Sequence, residues 1–548
     1  GKAYYICGLI LEATEKRHEP YDYYYKAAWS GPTYDVAMTR IAMLDIYNKD
    51  YEKALEHTEN ALSRNLNNRL ALATRVIAFK NLNLKREADD LIKASLKSDN
   101  LDHMMRYLSH EDSMSEVFDI MDSSPCQTCL DLAYDLADMG DYERAEILLT
   151  QLIKYRSGEG TAMVYYTLAY LKKLMGKSYE AEIKSAEDAP VGDTFPFRAG
   201  ELKALKSAAE ESLKATELLG DLYYAKRRIF SASECFERVL KEKPENATVI
   251  RNLAVLYFNY KNETDLCLDM MKKAVALEEG NEELIYETVV LMDKMSVNPS
   301  EKVGFLEARR NFITRDDILT ELAKAYNQAG LPEKTLEVLQ NHNFVPCEGG
   351  EHAIADQYIF AYFRLAQNKL KEKDYSSALE LFRKGQVLPQ NLGAGIWNHC
   401  KHIPLKYFEA VCLEHLGEKT EAEKIYRYIV DTKIEYFSNM HLKELPWYQA
   451  VSYDRLGEHI KGVQLMTEYL PVWKAALRAK DSGYFTTTPF FIPFTDCPEK
   501  LRKAQFSYLL GLCHDYMGRK EQAEEYLKTA AELNSELLFA KFYLDNLN

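Results

Sequence analysis

The stretch that decides the fold is Leu416–Tyr426, LGEKTEAEKIY. Gly417 is followed five residues later by Ala422, and Ala422 four later by Tyr426. The chain repeats this arrangement. MGRKEQAEEYL places Gly518, Ala523 and Leu527 in the same register, and MGDYERAEILL places Gly140, Ala145 and Leu149. Looser copies put Gly176 before Ala181, Gly330 before Thr335 and Leu339, and Gly457 before Gly462 and Met466. A longer copy runs from Leu219-Gly220 and Tyr223 to Ala232, Phe236, Val239 and Pro244.

Physical chemistry accounts for the spacing as a crossing of two helices. A small residue on the first helix (Gly220, Ala133, Ala323, Ala410 or Gly511) admits the backbone of the second, and the Ala of the second is its counterpart. The Gly between them supplies the left-handed conformation that ends the first helix. The Leu or aromatic one turn on fills space toward the next pair. These units resemble the tetratricopeptide (TPR) repeat, a helix–turn–helix of about 34 residues. The fold class expected is all-α, a TPR-like α-α superhelical solenoid with irregular insertions.

The bulk composition agrees. At 548 residues the chain exceeds any single compact core, and few Gly and Pro with long A/E/K/L/Y-rich segments favour helix. A net charge of −15 weighs against nucleic acid, and no apolar run approaches a membrane span. The ten Cys are scattered, as expected of reduced thiols in a cytoplasmic protein. GKAYYICGLILEA already reads as a first helix with Gly8 at its small position, so the chain is expected to be a fragment beginning at a repeat boundary, which leaves room for an upstream domain or a removed signal sequence.

Helix pairs are expected to begin near residues 1, 35, 69, 126, 162, 213, 247, 316, 359, 403, 443 and 504. The array divides into 1–190, 191–346 and 347–548, the last carrying an aromatic/Thr/Pro loop at 481–500. Insertions interrupt it at Ser98–Ser124, expected to hold a short helix pair, and at Ala189–Ala208, a Pro/Phe loop before a helix. In order along the chain, FPFRAGELKAL, LLGDLYYAKRRIFSASECFERV, RNLAVLYFNY, LPQNLGAG and YFTTTPFFIPFTD resemble an uncharacterised bacterial family. Its members join a galactose-mutarotase-like β-domain to a C-terminal TPR array. The resemblance implies a carbohydrate-related context and no catalytic residue.

WNHCKH (His399, Cys400, His402) followed by Cys412 and His415 has metal-ligand residue types. Cys412 lies about 12 Å down its helix from Pro404, too far to share an ion with the loop. Cys126 and Cys129 fall at a helix start, where a thiol pKa is open to lowering, but no second Cys pair accompanies them. No cofactor, metal or catalytic motif is expected, and the protein reads as a non-enzyme.

A binding wall is the better expectation. Aligned on Gly417, Gly457 and Gly518, the fifth repeat position holds Tyr407, Trp447 and Tyr508, and the twelfth holds Glu414, Asp454 and Asp515. Positions seven apart share a helix face. An aromatic beside a carboxylate suits a sugar ring or the Arg or Lys of a peptide; packing between repeats is the competing reading. Chaperone-tail binders of the TPR family use a Lys/Asn clamp, but Glu217, Asp221, Val411 and Leu512 here do not form one. The function expected is a scaffold presenting a groove to a protein or peptide, a glycan, a second copy, or the mutarotase-like domain. The alternative is an accessory region completing the active site of a carbohydrate-active enzyme.

Overall fold

The computed structural model describes residues 1–14, 19–110, 115–121, 124–155, 160–261, 263–345, 353–394, 402–433, 443–480, 493–495 and 497–547. Among them are thirty α-helices and no strand. The chain divides into two units, Gly1–Pro244 and Glu245–Asn548.

The first unit runs α1 (Lys2–Ala13), α2 (Pro20–Ala28), α3 (Tyr34–Tyr47), α4 (Tyr51–Leu62), α5 (Arg69–Asn81), α6 (Lys85–Ser98), α7 (His103–Ser109) and α8 (Ser115–Ile120). It continues through α9 (Pro125–Asp138), α10 (Tyr142–Tyr155), α11 (Ala162–Leu174), α12 (Glu180–Asp188), α13 (Ala199–Ala208), α14 (Leu213–Ala225) and α15 (Ile229–Glu242). The insertions are thus the short pair α7–α8 and the extra helix α13.

The second unit runs α16 (Ala247–Leu256), α17 (Thr264–Leu277), α18 (Glu282–Lys294), α19 (Pro299–Glu307), α20 (Asp316–Gln328), α21 (Pro332–Gln340), α22 (Ala353–Lys371) and α23 (Tyr375–Lys384). It ends with α24 (Ile403–His415), α25 (Lys419–Asp431), α26 (Leu445–Arg455), α27 (His459–Arg478), α28 (Pro498–Tyr516), α29 (Lys520–Leu533) and α30 (Leu538–Asp545). The hairpin α18–α19 is one the sequence reading did not separate.

Local chemistry sets these boundaries. First helices open on side-chain caps, Asn68 accepting from Ala71 N–H, Ser212 from Ala215 and Asn246 from Val249. Others open with Pro in the first turn, as at Pro404, Pro446 and Pro498. They end on a left-handed residue: Gly at 140, 176, 330, 417, 457 and 518, but Lys49, Asn83, Arg227, Ser296 and Lys373 elsewhere. Five residues after Lys49, Asn83, Arg227 and Lys373 stand Ala54, Ala88, Ala232 and Ala378, all buried. The Gly176 copy departs from the pattern. Ala181 is exposed, and Ile183 and Ala186 make the packing face of α12 instead.

The crossings are tight where the spacing requires it. A Cβ on Gly220 would stand 2.6 Å from the Phe236 ring, and one on Gly511 2.6 Å from Leu527. In the second unit successive first helices (α18, α20, α22, α24, α26, α28) touch one another. That row is the wall on which the site is built. At the end of the 481–500 segment, Phe494 is buried with its ring 5.2 Å from Phe258, and Asn259 donates to Pro493 O and accepts from Thr495 N–H. Phe485, Phe490 and Phe491 lie outside the described residues.

Candidate functional site

Tyr407, Trp447 and Tyr508 all stand on the first-helix row of the second unit, and all three rings are buried, at 7%, 7% and 2% exposure. What covers two of them is the chain itself. The Tyr543 ring of α30 lies 5.1 Å from Trp447 and 6.4 Å from Tyr508, and its hydroxyl is 2.7 Å from that of Tyr448. Tyr407 joins the group through Tyr448, 5.8 Å away.

The carboxylates take other partners. Glu414 accepts from Arg455 at 3.1 Å, and Asp454 accepts from Tyr516 Oη at 2.8 Å and faces His459 at 2.8 Å. Burial raises the Asp515 carboxyl, with Lys520 opposing. Glu414, Asp454 and Arg455 all act on the Tyr407 hydroxyl, which burial pushes above its ordinary value.

The wall extends further than the three Gly-marked repeats. Taking left-handed Lys373, Gly330 and Ser296 as equivalents of Gly417 puts Phe363, Thr320 and Tyr286 at the fifth position. The twelfth position then holds Leu370, Asn327 and Asp293. Phe363 is fully buried and is the anchor the sequence reading missed, because its repeat turns on Lys in place of Gly.

One segment, residues 535–543, touches four helices of this row. Ser535 O accepts from Gln328 Nε2 at 3.2 Å on α20, and Glu536 pairs with Lys324 at 2.5 Å. Phe539 meets Phe360 and Phe363 of α22 at 5.1 and 4.9 Å, and Phe542 meets Phe363 at 4.8 Å. Tyr543 completes the set on α26 and α28. The aromatic spacing 539, 542, 543 is i, i+3, i+4, one face of a helix. The Phe539, Phe542 and Trp447 contacts are edge-on, and Tyr508 and Tyr543 stack, both arrangements that ring quadrupoles favour.

Beside the aromatic seat lies a buried ionic cluster. Lys324 Nζ is 2.9 Å from Asp293, 2.7 Å from Glu321 and 2.5 Å from Glu536, and Lys302 Nζ is 2.5 Å from Asp293. Burial works to raise Asp293, but Lys324 and Lys302 prevail and hold it below the usual carboxylate range. For Glu321 burial prevails, pushing it up to about 7. Glu444, in the turn before α26, is also pushed up to about 7 by burial, with Tyr508 Oη at 3.5 Å. Glu321, Glu444, Asp356 and Tyr508 line one cavity of about 460 Å³.

Elsewhere the candidate chemistry takes different forms. His399 and Cys400 lie outside the described residues, Cys412 is buried with its thiol pushed up to about 12, and His415 stacks on Tyr375 at 4.2 Å. Among the described residues no group of three His, Cys, Asp or Glu is placed to hold a metal ion, and no helix is long and apolar enough to cross a membrane. Cys126 and Cys129 are buried, and burial drives the Cys129 thiol up, the reverse of the lowering a helix start offers.

In the first unit, Asp45 Oδ2 faces His57 Nδ1 at 2.6 Å and His57 Nε2 faces Tyr25 Oη at 2.8 Å. Burial and Asp45 raise the Tyr25 hydroxyl, and the three side chains tie α2, α3 and α4 together. This arrangement is invisible in the sequence because its members come from separate helices.

No known family profile matches the chain. Over 220 residues it is 22% identical to the RNA polymerase-associated protein CTR9 of Caenorhabditis elegans, covering 39% of this chain and 17% of that protein's length. Among solved structures it is similar to Naa15/Naa10 bound to HypK-THB, at 14% identity over 99% of this chain and 85% of that one, with a TM-score of 0.26. It is also similar to the P58(IPK) TPR domain, at 11% identity over 93% and 98% of the two chains, with a TM-score of 0.24.

Proposed function

We propose that the chain is a non-enzymatic scaffold whose first-helix row in the second unit receives a helical peptide of a protein partner. The observation that carries this reading is the seat already occupied by α30: Phe539, Phe542 and Tyr543 enter a wall built of Phe363, Trp447 and Tyr508. A wall that holds one amphipathic helix by aromatic anchors and an acidic residue on Lys324 has the chemistry to hold another of the same pattern. Trp447 and Tyr508 become available when α30 withdraws. Tyr407 supports them from behind, and Glu414, Asp454 and Asp515 supply acceptors along the row for basic residues flanking the helix.

The test is binding of a fluorescein-labelled peptide of residues 534–547 to the wild-type chain and to a Phe542→Ala/Tyr543→Ala chain. Loosening α30 frees the seat, so the variant should bind at least ~10-fold more tightly, within what loss of a buried aromatic supplies. Equal binding although α30 amides exchange faster in the variant sinks the reading. A glycan array, a self-association measurement and a mutarotase-like β-domain are the further arms of the same screen.

A second reading, an accessory region of a carbohydrate-active enzyme, draws on one observation. Glu321 and Glu444 share a cavity, and each changes charge near neutrality. Sugar hydrolysis that appears only with a β-domain present and disappears in Glu444→Gln would favour it.

A further inference from the structure

We infer that the cavity bounded by α20, α22, α28, α30 and the turn before α26 holds a small organic cation, a primary ammonium on an apolar body, with the Glu444 carboxylate as its counter-ion. The cavity measures about 460 Å³, and Ile359, Phe360, Leu537, Leu538 and Phe539 give it apolar walls. That size is within the ~300–1,000 Å³ of small-ligand sites, which pair an apolar lining with a few convergent polar groups. Two of its lining residues, Ala353 and Lys443, are exposed, so it opens to solvent.

The charge balance of the lining is acidic. Glu321, Asp356, Glu444 and Glu536 face only Lys324 and Lys443. Lys324 is already shared, with Asp293, Glu321 and Glu536 all within 2.9 Å of its Nζ, and Lys302 adds one further cation at Asp293. Three acids and two lysines thus close on one another and leave no cation over for Glu444. Glu444 is 8% exposed, and no ion pair joins it to Lys443 or to any other cation among the described residues. Its side-chain partner is the neutral Tyr508 hydroxyl, at the long distance of 3.5 Å. A buried carboxylate without a cation is costly, which is why burial, with Asp356 adding like charge, pushes Glu444 up to about 7. An ammonium brings three N–H donors on one charged atom, and Gln505 and Tyr508 line the same cavity with oxygens to receive those that Glu444 does not. A hard divalent ion is a poor match, since it takes six or more oxygens and, among the described residues, no group of three His, Cys, Asp or Glu is placed to hold a metal.

The cavity shares Phe360, Tyr508, Glu536 and Phe539 with the aromatic seat and is complete with α30 in place. It is therefore tested on the full chain with α30 unaltered, and the result stands whether or not a peptide displaces that helix. Titration calorimetry at pH 8 compares two cation and neutral pairs: hexylamine with hexanol, and acetyl-Leu-Lys-amide with acetyl-Leu-norleucine-amide. In at least one pair the cation should bind at least ~10-fold more tightly than its neutral twin, the scale of a charge-assisted hydrogen bond. Which pair responds tells whether the ammonium is a free amine or a lysine side chain. Because the ligand pairs with ionised Glu444, its affinity should fall about 10-fold from pH 8 to pH 6, while the amine stays charged. Glu444→Gln should erase the cation preference at pH 8. Glu321 titrates in the same range and is present in both proteins, so the difference in pH dependence between them belongs to Glu444. The thermal midpoint of Glu444→Gln at pH 8 should match or exceed that of the wild type, since an unmatched buried charge has been removed. The inference is overturned if neither pair shows a cation preference or if Glu444→Gln retains it. It is equally overturned if the Glu444→Gln midpoint falls at pH 8, which would make the carboxylate a structural acceptor.

Discussion

Glu444→Gln isolates the consequence of burying a carboxyl on the first-helix row. Glu444 is 8% exposed, and burial pushes it from 4.5 up to about 7, opposed by its own backbone N–H, Tyr508 and Lys443. The folded protein therefore favours the neutral acid. Its contribution to stability is complete below the unfolded value of 4.5 and is lost as pH rises through about 7. The rise corresponds to about 3 kcal/mol by pH 8. Gln mimics the neutral acid at every pH, so the difference between wild type and Glu444→Gln cancels the other titrating groups. The assay is urea unfolding at pH 5 and pH 8 followed by tryptophan fluorescence, which reports mainly on the second unit because Trp397, Trp447 and Trp473 lie there and only Trp29 lies outside. Because part of the effect is already lost at pH 5, the wild type should lose about 2.5 kcal/mol relative to the variant between the two pH values, with the denaturant slope unchanged. A pH dependence identical in the two proteins would refute the argument, because Glu444 would then ionise as freely folded as unfolded.

Two glycines separate steric from conformational strain. Gly511→Val forces methyls into Leu527 and should cost ~1–3 kcal/mol, whereas Gly518→Ala meets no neighbour but must hold φ near 71° and should cost about 1 kcal/mol, both read as shifts in the urea midpoint. Lys324→Met removes the common partner of Asp293, Glu321 and Glu536 and should cost ~3–5 kcal/mol, with α30 becoming the first segment cut in limited proteolysis. His514 is 2% exposed with both ring nitrogens unpartnered, and burial holds its pKa below 6.5. Its neutral form is favoured in the fold, so stability should fall as pH drops below 6.5 in the wild type and fall less in His514→Phe, measured by thermal midpoints at pH 5 and pH 7.5.

Most of the hairpin array was legible because its signals are local. Gly at a helix end, Ala five residues on and Pro in a first turn each act on neighbours in the chain, and helices begin at 69, 162, 213, 247, 316 and 403 close to where those signals sit. The hairpin α18–α19 escaped because Ser296 turns it and Glu301, not Ala, stands five residues later. Lys373 hid Phe363 in the same way. A left-handed Lys or Ser carries no compositional mark, so only backbone geometry reveals it.

The candidate site was legible in part. That Tyr407, Trp447 and Tyr508 occupy equivalent positions follows from counting residues. That Tyr543 lies over two of them does not, since Trp447 and Tyr543 are nearly a hundred residues apart and no pattern in either segment names the other. The carboxylates assigned from the heptad-like spacing look toward Arg455, Tyr516 and His459, while Glu444 and Glu321 enter the cavity.

The amino-acid order alone determined that the regular structure of the described residues is helical and that these helices pair by close approach at small residues, because helix ends and crossings are settled within a few turns of chain. Only the tertiary structure decided which face of the row is covered and which cations find acids. Those outcomes depend on how six hairpins accumulate in space, and that accumulated geometry is written in no single repeat.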